Sequence, residues 1–101
     1  MSLSIEKFTS SFEVDFGYTV YLIDATNSSI TVSLPDVSGN SAYNGSHFYV
    51  KRIDTNNTKT VLIDPYSSQT IDGVSASHSM ALHASVHLVC WEGAWLILSQ
   101  V

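Results

Sequence analysis

"VHLVCWEGAWLILS", residues 86–99, is the most apolar stretch of the chain and the one that decides its fold. A two-residue turn at Glu92 and Gly93 would make this stretch a hairpin. That register predicts four cross-strand pairs: Trp91–Ala94, Cys90–Trp95, Val89–Leu96 and Leu88–Ile97. Both faces of the hairpin are then apolar, although a hairpin at a protein surface usually alternates apolar and polar positions. The second apolar face therefore needs a cover other than water.

The period of two along each strand divides this hairpin into an inner and an outer side. The inner side is predicted to belong to the core of the subunit and contains Leu88, Cys90, Trp95 and Ile97. Other strands are expected to complete the core with Val20, Leu22, Ile30, Val32, Phe48, Val50, Val61 and Ile63. The outer side is predicted to contact another copy of the chain and contains His87, Val89, Trp91, Leu96 and Leu98. An alternative cover is the segment 1–15, whose Phe8 and Phe12 could fold back over the same side within one chain.

Composition restricts the class of protein before any motif is considered. A chain of 101 residues supports one domain, and Ser and Thr make up about a quarter of it, as in exposed β structure. The net charge is −5 with only four Lys and Arg residues, so nucleic acid is not an expected partner. No apolar run approaches the ~20 residues of a membrane span, and the first residues lack the layout of a secretory signal. The single cysteine, Cys90, is expected to be a buried hydrophobic residue.

Turn residues recur at intervals of about 8 to 12 residues, which is typical of a sandwich or barrel. "YTVYLID" (18–24) and "ITVSLP" (30–35) are predicted to pair as a hairpin, and "SHFYVKRID" (46–54) and "TVLID" (60–64) are further strands. "SASHSMALHASVH" (75–87) fits either a helix or two short strands, and its serines favour strands. The predicted fold is therefore an all-β, antiparallel β-sandwich or barrel-like module over residues 16–101, preceded by a connecting arm over residues 1–15.

Candidate chemical motifs are few. His83 and His87 have the spacing of two zinc ligands on a helix, but the catalytic glutamate is missing, and in a strand the two rings would lie about 13 Å apart. The aspartates that follow strands are expected to stabilise turns: Asp24, Asp36, Asp54, Asp64 and Asp72. The sequence contains no nucleophile motif and no phosphate-binding loop. Neither an enzyme activity nor a bound metal or cofactor is predicted.

Aromatic residues support a different hypothesis. Sugar-binding modules stack pyranose rings on exposed aromatic side chains, and seven candidates occur here: Tyr18, Tyr21, Tyr43, Tyr49, Tyr66, Trp91 and Trp95. Packing in the core or at an interface is the alternative role for these side chains. Three sequons, at Asn27, Asn44 and Asn56, are weak signals, because such triplets arise by chance in a chain rich in Ser, Thr and Asn.

The order of several segments resembles a module that recurs in tail-fibre and other receptor-binding or structural proteins of tailed phages and large viruses. The similar segments are "ITVSLP" (30–35), "YVKRIDTNNTKTVLID" (49–64), "QTIDG" (69–73) and the W-x-I-x-S pattern at Trp95, Ile97 and Ser99. The resemblance covers residues 18–99 and implies a non-enzymatic structural or adhesive role in a virion, with assembly as a homotrimer. It also implies that the partners are other copies of the chain, other virion proteins or a host surface glycan.

Overall fold

Two β-sheets form the framework of the computed structural model, which describes residues 4–38 and 41–101. In chain order the strands of these residues are β1 (Ile5–Phe8), β2 (Phe12–Glu13), β3 (Val20–Ile23), β4 (Ile30–Ser33), β5 (His47–Arg52), β6 (Val61–Asp64), β7 (His78–Met80), β8 (Ser85–Trp91) and β9 (Ala94–Gln100). A 3₁₀ turn, Ser41–Tyr43, precedes β5. The five-stranded sheet has the order β1-β3-β5-β8-β9, and the four-stranded sheet has the order β2-β4-β6-β7. The prediction of an all-β fold is confirmed, and the two layers are compatible with a β-sandwich.

The sheets are mixed and not purely antiparallel, which corrects the sequence-based prediction. From β1 to β6 the chain alternates between the two sheets, so that β1, β3 and β5 lie parallel in one and β2, β4 and β6 lie parallel in the other. Each circuit of the chain therefore adds one strand to each sheet, as in the coils of a parallel β-helix. Only β7, β8 and β9 pair antiparallel with their neighbours.

The predicted hairpin between residues 18–24 and 30–35 is wrong for the same reason. Strands β3 and β4 lie in different sheets, and each pairs with the equivalent strand of the next circuit. Residues 24–29 connect them and are numerous enough to cross the ~10 Å between packed sheets. The alternation of apolar residues predicted two strands correctly, but it does not distinguish a hairpin from a crossing between sheets.

The terminal hairpin is confirmed in register and turn. Strands β8 and β9 pair Trp91 with Ala94, Cys90 with Trp95, Val89 with Leu96, and Leu88 with Ile97. Glu92 and Gly93 both have positive φ angles, 54° and 76°, as a type I′ turn requires. The register shifts beyond Leu88, so that Leu98 is the extra residue of a β-bulge.

The segment 75–87 contains β7 and the start of β8, which confirms the prediction of strands over the helical alternative. Its turn is made at His83, whose φ angle is 63°. The predicted turn at Asp72 and Gly73 is also present, with φ angles of 52° and 80°. Serine-rich composition and local turn chemistry were therefore sufficient to identify these elements.

The core lies between the two sheets and contains most of the predicted residues. Ile30, Val32, Phe48, Val50, Val61, Ile63, Leu88, Cys90 and Trp95 are buried, and Ile97 is partly buried against them. Burial also raises the pKa of the Cys90 thiol, as expected for a cysteine in an apolar site. Val20 and Leu22 were placed on the wrong face, since Tyr21 and Ile23 point into the core and the two predicted residues point outwards. "VYLI" is apolar on both faces, so its period of two could not fix the phase.

A buried ion pair holds the ends of several strands together. The Arg52 Nε donates to Asp54 Oδ1 at 3.0 Å, and both side chains are almost fully buried. Asp54 also accepts the backbone N–H of Ala25 at 3.1 Å, while Arg52 donates to the carbonyl oxygen of Met80 at 2.9 Å. Asp54 therefore does more than stabilise a turn, because its carboxylate links the loop after β3 to the strand end of β5.

Asp24 and Asp36 have the turn-forming role that was predicted from their positions, whereas the Asp64 carboxylate accepts from the Ser77 hydroxyl in a distant segment. Asp24 accepts the backbone N–H of Thr26, and Asp36 accepts the backbone N–H and the hydroxyl of Ser38. Asp72 accepts the backbone N–H of Ile97 at 3.0 Å, which attaches its turn to β9. The bonds of Asp24 and Asp36 are local, as in an Asx turn, whereas the bond of Asp72 joins two distant segments.

The segment expected to be a connecting arm contributes an edge strand to each sheet, β1 and β2. Phe8 and Phe12 stack on each other with ring centroids 3.8 Å apart, and both rings stack on Tyr21. This aromatic stack lies at the β1–β3 end of the five-stranded sheet, and the terminal hairpin lies at the opposite end. The hypothesis that Phe8 and Phe12 cover the outer side of that hairpin is therefore wrong.

Candidate functional site

The candidate site is the outer face of the five-stranded sheet, the side that points away from the four-stranded sheet. The cross-strand registers place the following apolar, aromatic and histidine side chains on it: Ile5, Val20, Leu22, His47, Tyr49, His87, Val89, Trp91 and Leu96, with the bulge residue Leu98 at the edge. One row of this set, Ile5–Val20–Tyr49–His87, crosses β1, β3, β5 and β8, and a second row, His47–Val89–Leu96, crosses β5, β8 and β9, so the set forms one continuous surface. The polar residues Lys7, Lys51, Ser85 and Ser99 occupy other positions on the same side. We call this surface the outer face.

Several large side chains on the outer face are open to solvent. Leu98 is 61% exposed, Trp91 is 55% exposed and Ile5 is 50% exposed. Leu96 and Tyr49 are each 39% exposed. Scattered single apolar residues are ordinary on a protein surface, whereas a contiguous group of this kind is a candidate interaction surface.

The corresponding face of the four-stranded sheet has a different composition. Its outward positions carry Glu13, Thr31, Ser33, Leu62, Asp64 and Ser79. All but one of these residues are polar or charged, and the exception, Leu62, is half-buried. The two outer surfaces of the molecule therefore differ, and the apolar one contains every residue that was predicted to contact another copy.

Two histidines and a tyrosine form a cluster at the centre of the outer face. The His47 Nδ1 lies 3.0 Å from the His87 Nε2, and the two rings are inclined at 69°. Tyr49 is directly opposite His87 in the register of β5 and β8, and their rings stack with centroids 4.0 Å apart at 13°. Burial, and then the proximity of His47, lowers the pKa of His87. His87 is therefore held mainly as the neutral imidazole at pH 7.

Sequence reasoning identified His87 as an outer-side residue but did not pair it with His47. The two residues are 40 positions apart in the chain. They come together only because β5 and β8 are antiparallel neighbours. The sequence did indicate that both histidines point away from the core, because each alternates with core residues along its own strand. Strand pairing was the missing information.

The other two histidines lie elsewhere. His78 is in β7, opposite Ile63, and His83 is in the turn before β8, where its carbonyl oxygen accepts a hydrogen bond from the Lys51 ammonium group. His83 and His87 therefore do not form the helical pair that their spacing suggested. Within residues 4–38 and 41–101, no three His, Cys, Asp or Glu side chains lie close enough together to hold a metal ion.

A cleft of about 260 Å³ lies where the edges of β7 and β9 separate. Asp72, Ser77 and His78 are among its lining residues, but they do not form a hydrogen-bonded relay. The Ser77 hydroxyl donates instead to Asp64 at 3.1 Å, and Asp72 accepts from the Ile97 backbone. The cleft therefore lacks the nucleophile-to-base contact that a serine hydrolase needs.

Two of the three sequon asparagines hold the backbone in place. The Asn44 Oδ1 accepts the backbone N–H of Glu92 at 2.7 Å, which supports the turn of the terminal hairpin. Asn56 accepts from the Thr58 backbone and donates to the Thr26 carbonyl oxygen at 2.8 Å. Both amides therefore have structural contacts.

The described part of the chain contains no helix long and apolar enough to cross a bilayer. Comparison of the sequence with protein-family models and with curated proteins returns no significant match to either. The resemblance to viral fibre modules stays a prediction.

Proposed function

We propose that the chain is a non-enzymatic structural or adhesive module, of the kind found in phage tail fibres, that assembles as a homotrimer through the outer face. The observation that carries the proposal is the contrast between the two outer surfaces. The four-stranded sheet presents polar side chains to solvent, while the five-stranded sheet presents Trp91, Leu96 and Leu98. Localisation in the virion belongs to the same proposal and follows from the resemblance.

The extent of the outer face suits a ring of three subunits. In a cyclic trimer each subunit contacts its two neighbours through two different patches. The outer face offers apolar residues at both ends: Trp91, Leu96 and Leu98 on β8 and β9, and Ile5 on β1. A contact that buries about 800 Å² on each partner is of the usual size for a specific interface. At ~25 cal/mol per Å² of apolar area, such a contact supplies a large gross driving force against the entropy of association.

The proposal is tested by measuring the molar mass of the purified chain in solution. We expect light scattering at micromolar concentration to give about 33 kDa, three times the 11.0 kDa of one chain. Leu98→Asp should dissociate the trimer, because an unpaired carboxylate is costly only where an interface excludes water.

Val74→Asp is the matched control, since Val74 is 57% exposed and lies outside the outer face, against 61% for Leu98. The control should keep the mass of the wild-type protein. A wild-type mass of 11 kDa, or a trimer that survives both Leu98→Asp and Leu96→Asp, would contradict the proposal.

A carbohydrate-binding module is the second candidate function. It is favoured by the exposed indole of Trp91 and by the flat stack of Tyr49 on His87, since sugar rings bind to exposed aromatic surfaces. On this alternative the wild-type chain is a monomer that binds glycans on an array, and Trp91→Ala abolishes that signal. Glycan binding that survives Trp91→Ala would eliminate it.

A further inference from the structure

We propose that His47 and His87 form a two-imidazole chelate for a divalent transition-metal ion of the Cu²⁺, Ni²⁺ or Zn²⁺ type. This inference goes beyond the proposed function and does not rest on it, because both ligands belong to one chain. It rests on the position of two ring nitrogens that face each other across neighbouring strands.

The separation of these nitrogens is close to that required by a shared metal ion. With metal–nitrogen bonds of about 2.0–2.1 Å, two ligands are about 2.9 Å apart at a right angle and about 3.3 Å apart at the tetrahedral angle. The His47 Nδ1 and His87 Nε2 are 3.0 Å apart. Each lone pair must turn by about 40° away from the line that joins the two nitrogens before both point at one metal ion.

The strands hold the two rings in place. His47 pairs with Val89 and His87 pairs with Tyr49, so the two histidines are diagonal neighbours on the same side of the antiparallel β5–β8 ladder. The Tyr49 ring stacks on His87 and restricts its rotation. Restricting a ligand before binding lowers the entropy that binding costs.

The protonation state of His87 also suits metal binding. Only a neutral imidazole binds a metal ion, and burial together with His47 lowers the pKa of His87. In the free pair one ring donates its N–H to the other. On metal binding the donor ring becomes its other tautomer, and this exchange between the two ring nitrogens by itself releases no proton. Water, or a group from a neighbouring molecule, fills the remaining coordination positions.

The chemistry of the ligands defines which ions should bind. Imidazole nitrogen suits Cu²⁺, Ni²⁺ and Zn²⁺, and affinity rises from Ni²⁺ to Cu²⁺ in the usual order for such ligands. Mg²⁺ and Ca²⁺ prefer oxygen ligands and should not compete. The order of affinities is therefore part of the test.

The test is calorimetric titration of Cu²⁺, Ni²⁺ and Mg²⁺ into the full chain at pH 7.5. We expect one Cu²⁺ per chain, weaker Ni²⁺ binding and no Mg²⁺ binding. Joining two ligands in one site typically raises affinity by about 10²-fold or more, so His47→Gln and His87→Gln should each weaken Cu²⁺ binding by at least about tenfold. His78→Gln and His83→Gln are the matched controls and should leave the affinity unchanged, because those two rings lie outside the pair.

A spectroscopic readout and a second variant complete the experiment. The electron paramagnetic resonance spectrum of the Cu²⁺ complex should show coupling to two imidazole nitrogens in the wild-type chain and to one in His47→Gln. The titration is repeated on Leu98→Asp, because this variant leaves the two histidines accessible even if assembly of the wild-type chain covers the outer face. Equal Cu²⁺ affinity in the wild-type chain, Leu98→Asp and the His47→Gln/His87→Gln double variant would overturn the proposal, whatever the oligomeric state.

Discussion

Replacement of Asp54 by asparagine tests whether the buried ion pair stabilises the join between the two sheets. The carboxylate accepts from Arg52 at 3.0 Å and from the backbone N–H groups of Ala25 and Asn56, each at 3.1 Å. Asparagine has almost the same shape but no charge, and only one of its side-chain atoms can accept hydrogen bonds. The variant therefore leaves the Arg52 guanidinium buried without its counter-ion.

The structure sets the size of the expected loss. Removing one partner of a buried ion pair typically costs about 3–5 kcal/mol, because the remaining charge stays desolvated. Burial by itself raises the pKa of Asp54, but the hydrogen bonds from Arg52, Ala25 and Asn56 and the charge of Arg52 outweigh it and lower the pKa from 3.8 to about 2. That shift corresponds to at most about 2 kcal/mol of electrostatic stabilisation. We expect Asp54→Asn to lower the free energy of unfolding by about 3 kcal/mol, since Arg52 keeps its bonds to backbone carbonyls.

Thermal unfolding followed by circular dichroism measures this loss. A change of 1 kcal/mol shifts Tm by about 4–8 °C in a domain of this size, so Asp54→Asn should lower Tm by at least about 12 °C. Asp24→Asn is the matched control, since Asp24 also follows a strand but only caps an exposed turn, where asparagine is an equally good residue. A Tm for Asp54→Asn within about 4 °C of both the wild-type and Asp24→Asn values would refute the role assigned to the ion pair.

Further predictions concern the core and the pH dependence of stability. Trp95→Ala should cost about 3–5 kcal/mol in chemical denaturation because the indole is fully buried, and a loss below 1 kcal/mol would show that Trp95 does not fill the core. Because the pKa of Asp54 is lowered in the folded state, its stabilisation is complete above pH 3.8 and is lost as the pH falls towards 2, so the wild-type chain should lose its stability advantage over Asp54→Asn in that range. The pKa of His87 is also lowered in the folded state, so protonation of this imidazole favours the unfolded state. Stability should therefore fall as the pH drops below 6.5 in the wild-type chain, and it should fall less in His87→Gln.

The terminal hairpin could be predicted from sequence because its determinants are local. Glu92 and Gly93 fix a two-residue turn, and a turn of known length fixes every cross-strand pair that follows it. The inner and outer sides then follow from the period of two. The bulge at Leu98 was not predicted, because an extra residue does not change the pattern of a strand in which successive residues are all apolar.

The pairing of β3 and β4 could not be predicted because it depends on distant segments. The alternating pattern shows that Ile30 and Val32 share a buried face, but it is silent on whether the neighbouring strand precedes by 10 residues or follows by 30. Tyr21 illustrates the same limit, since an amphipathic ring suits either face until its partners Phe8 and Phe12 are known. The His47–His87 pair is a third case, because it exists only after β5 and β8 are placed side by side.

The position of the apolar residues gives the strongest support for a binding role of the outer face. General hydrophobicity does not explain it, because the same chain places Thr31, Ser33 and Ser79 at outward positions of the other sheet. Outward-facing leucine and tryptophan side chains lower solubility and add nothing to the core of their own subunit. Trp91 and Leu98 are both more than half exposed in the single chain. Their burial would contribute favourable free energy only in a contact with another molecule. The mass of the wild-type chain and of Leu98→Asp therefore decides between a second copy and a glycan as the partner of this face.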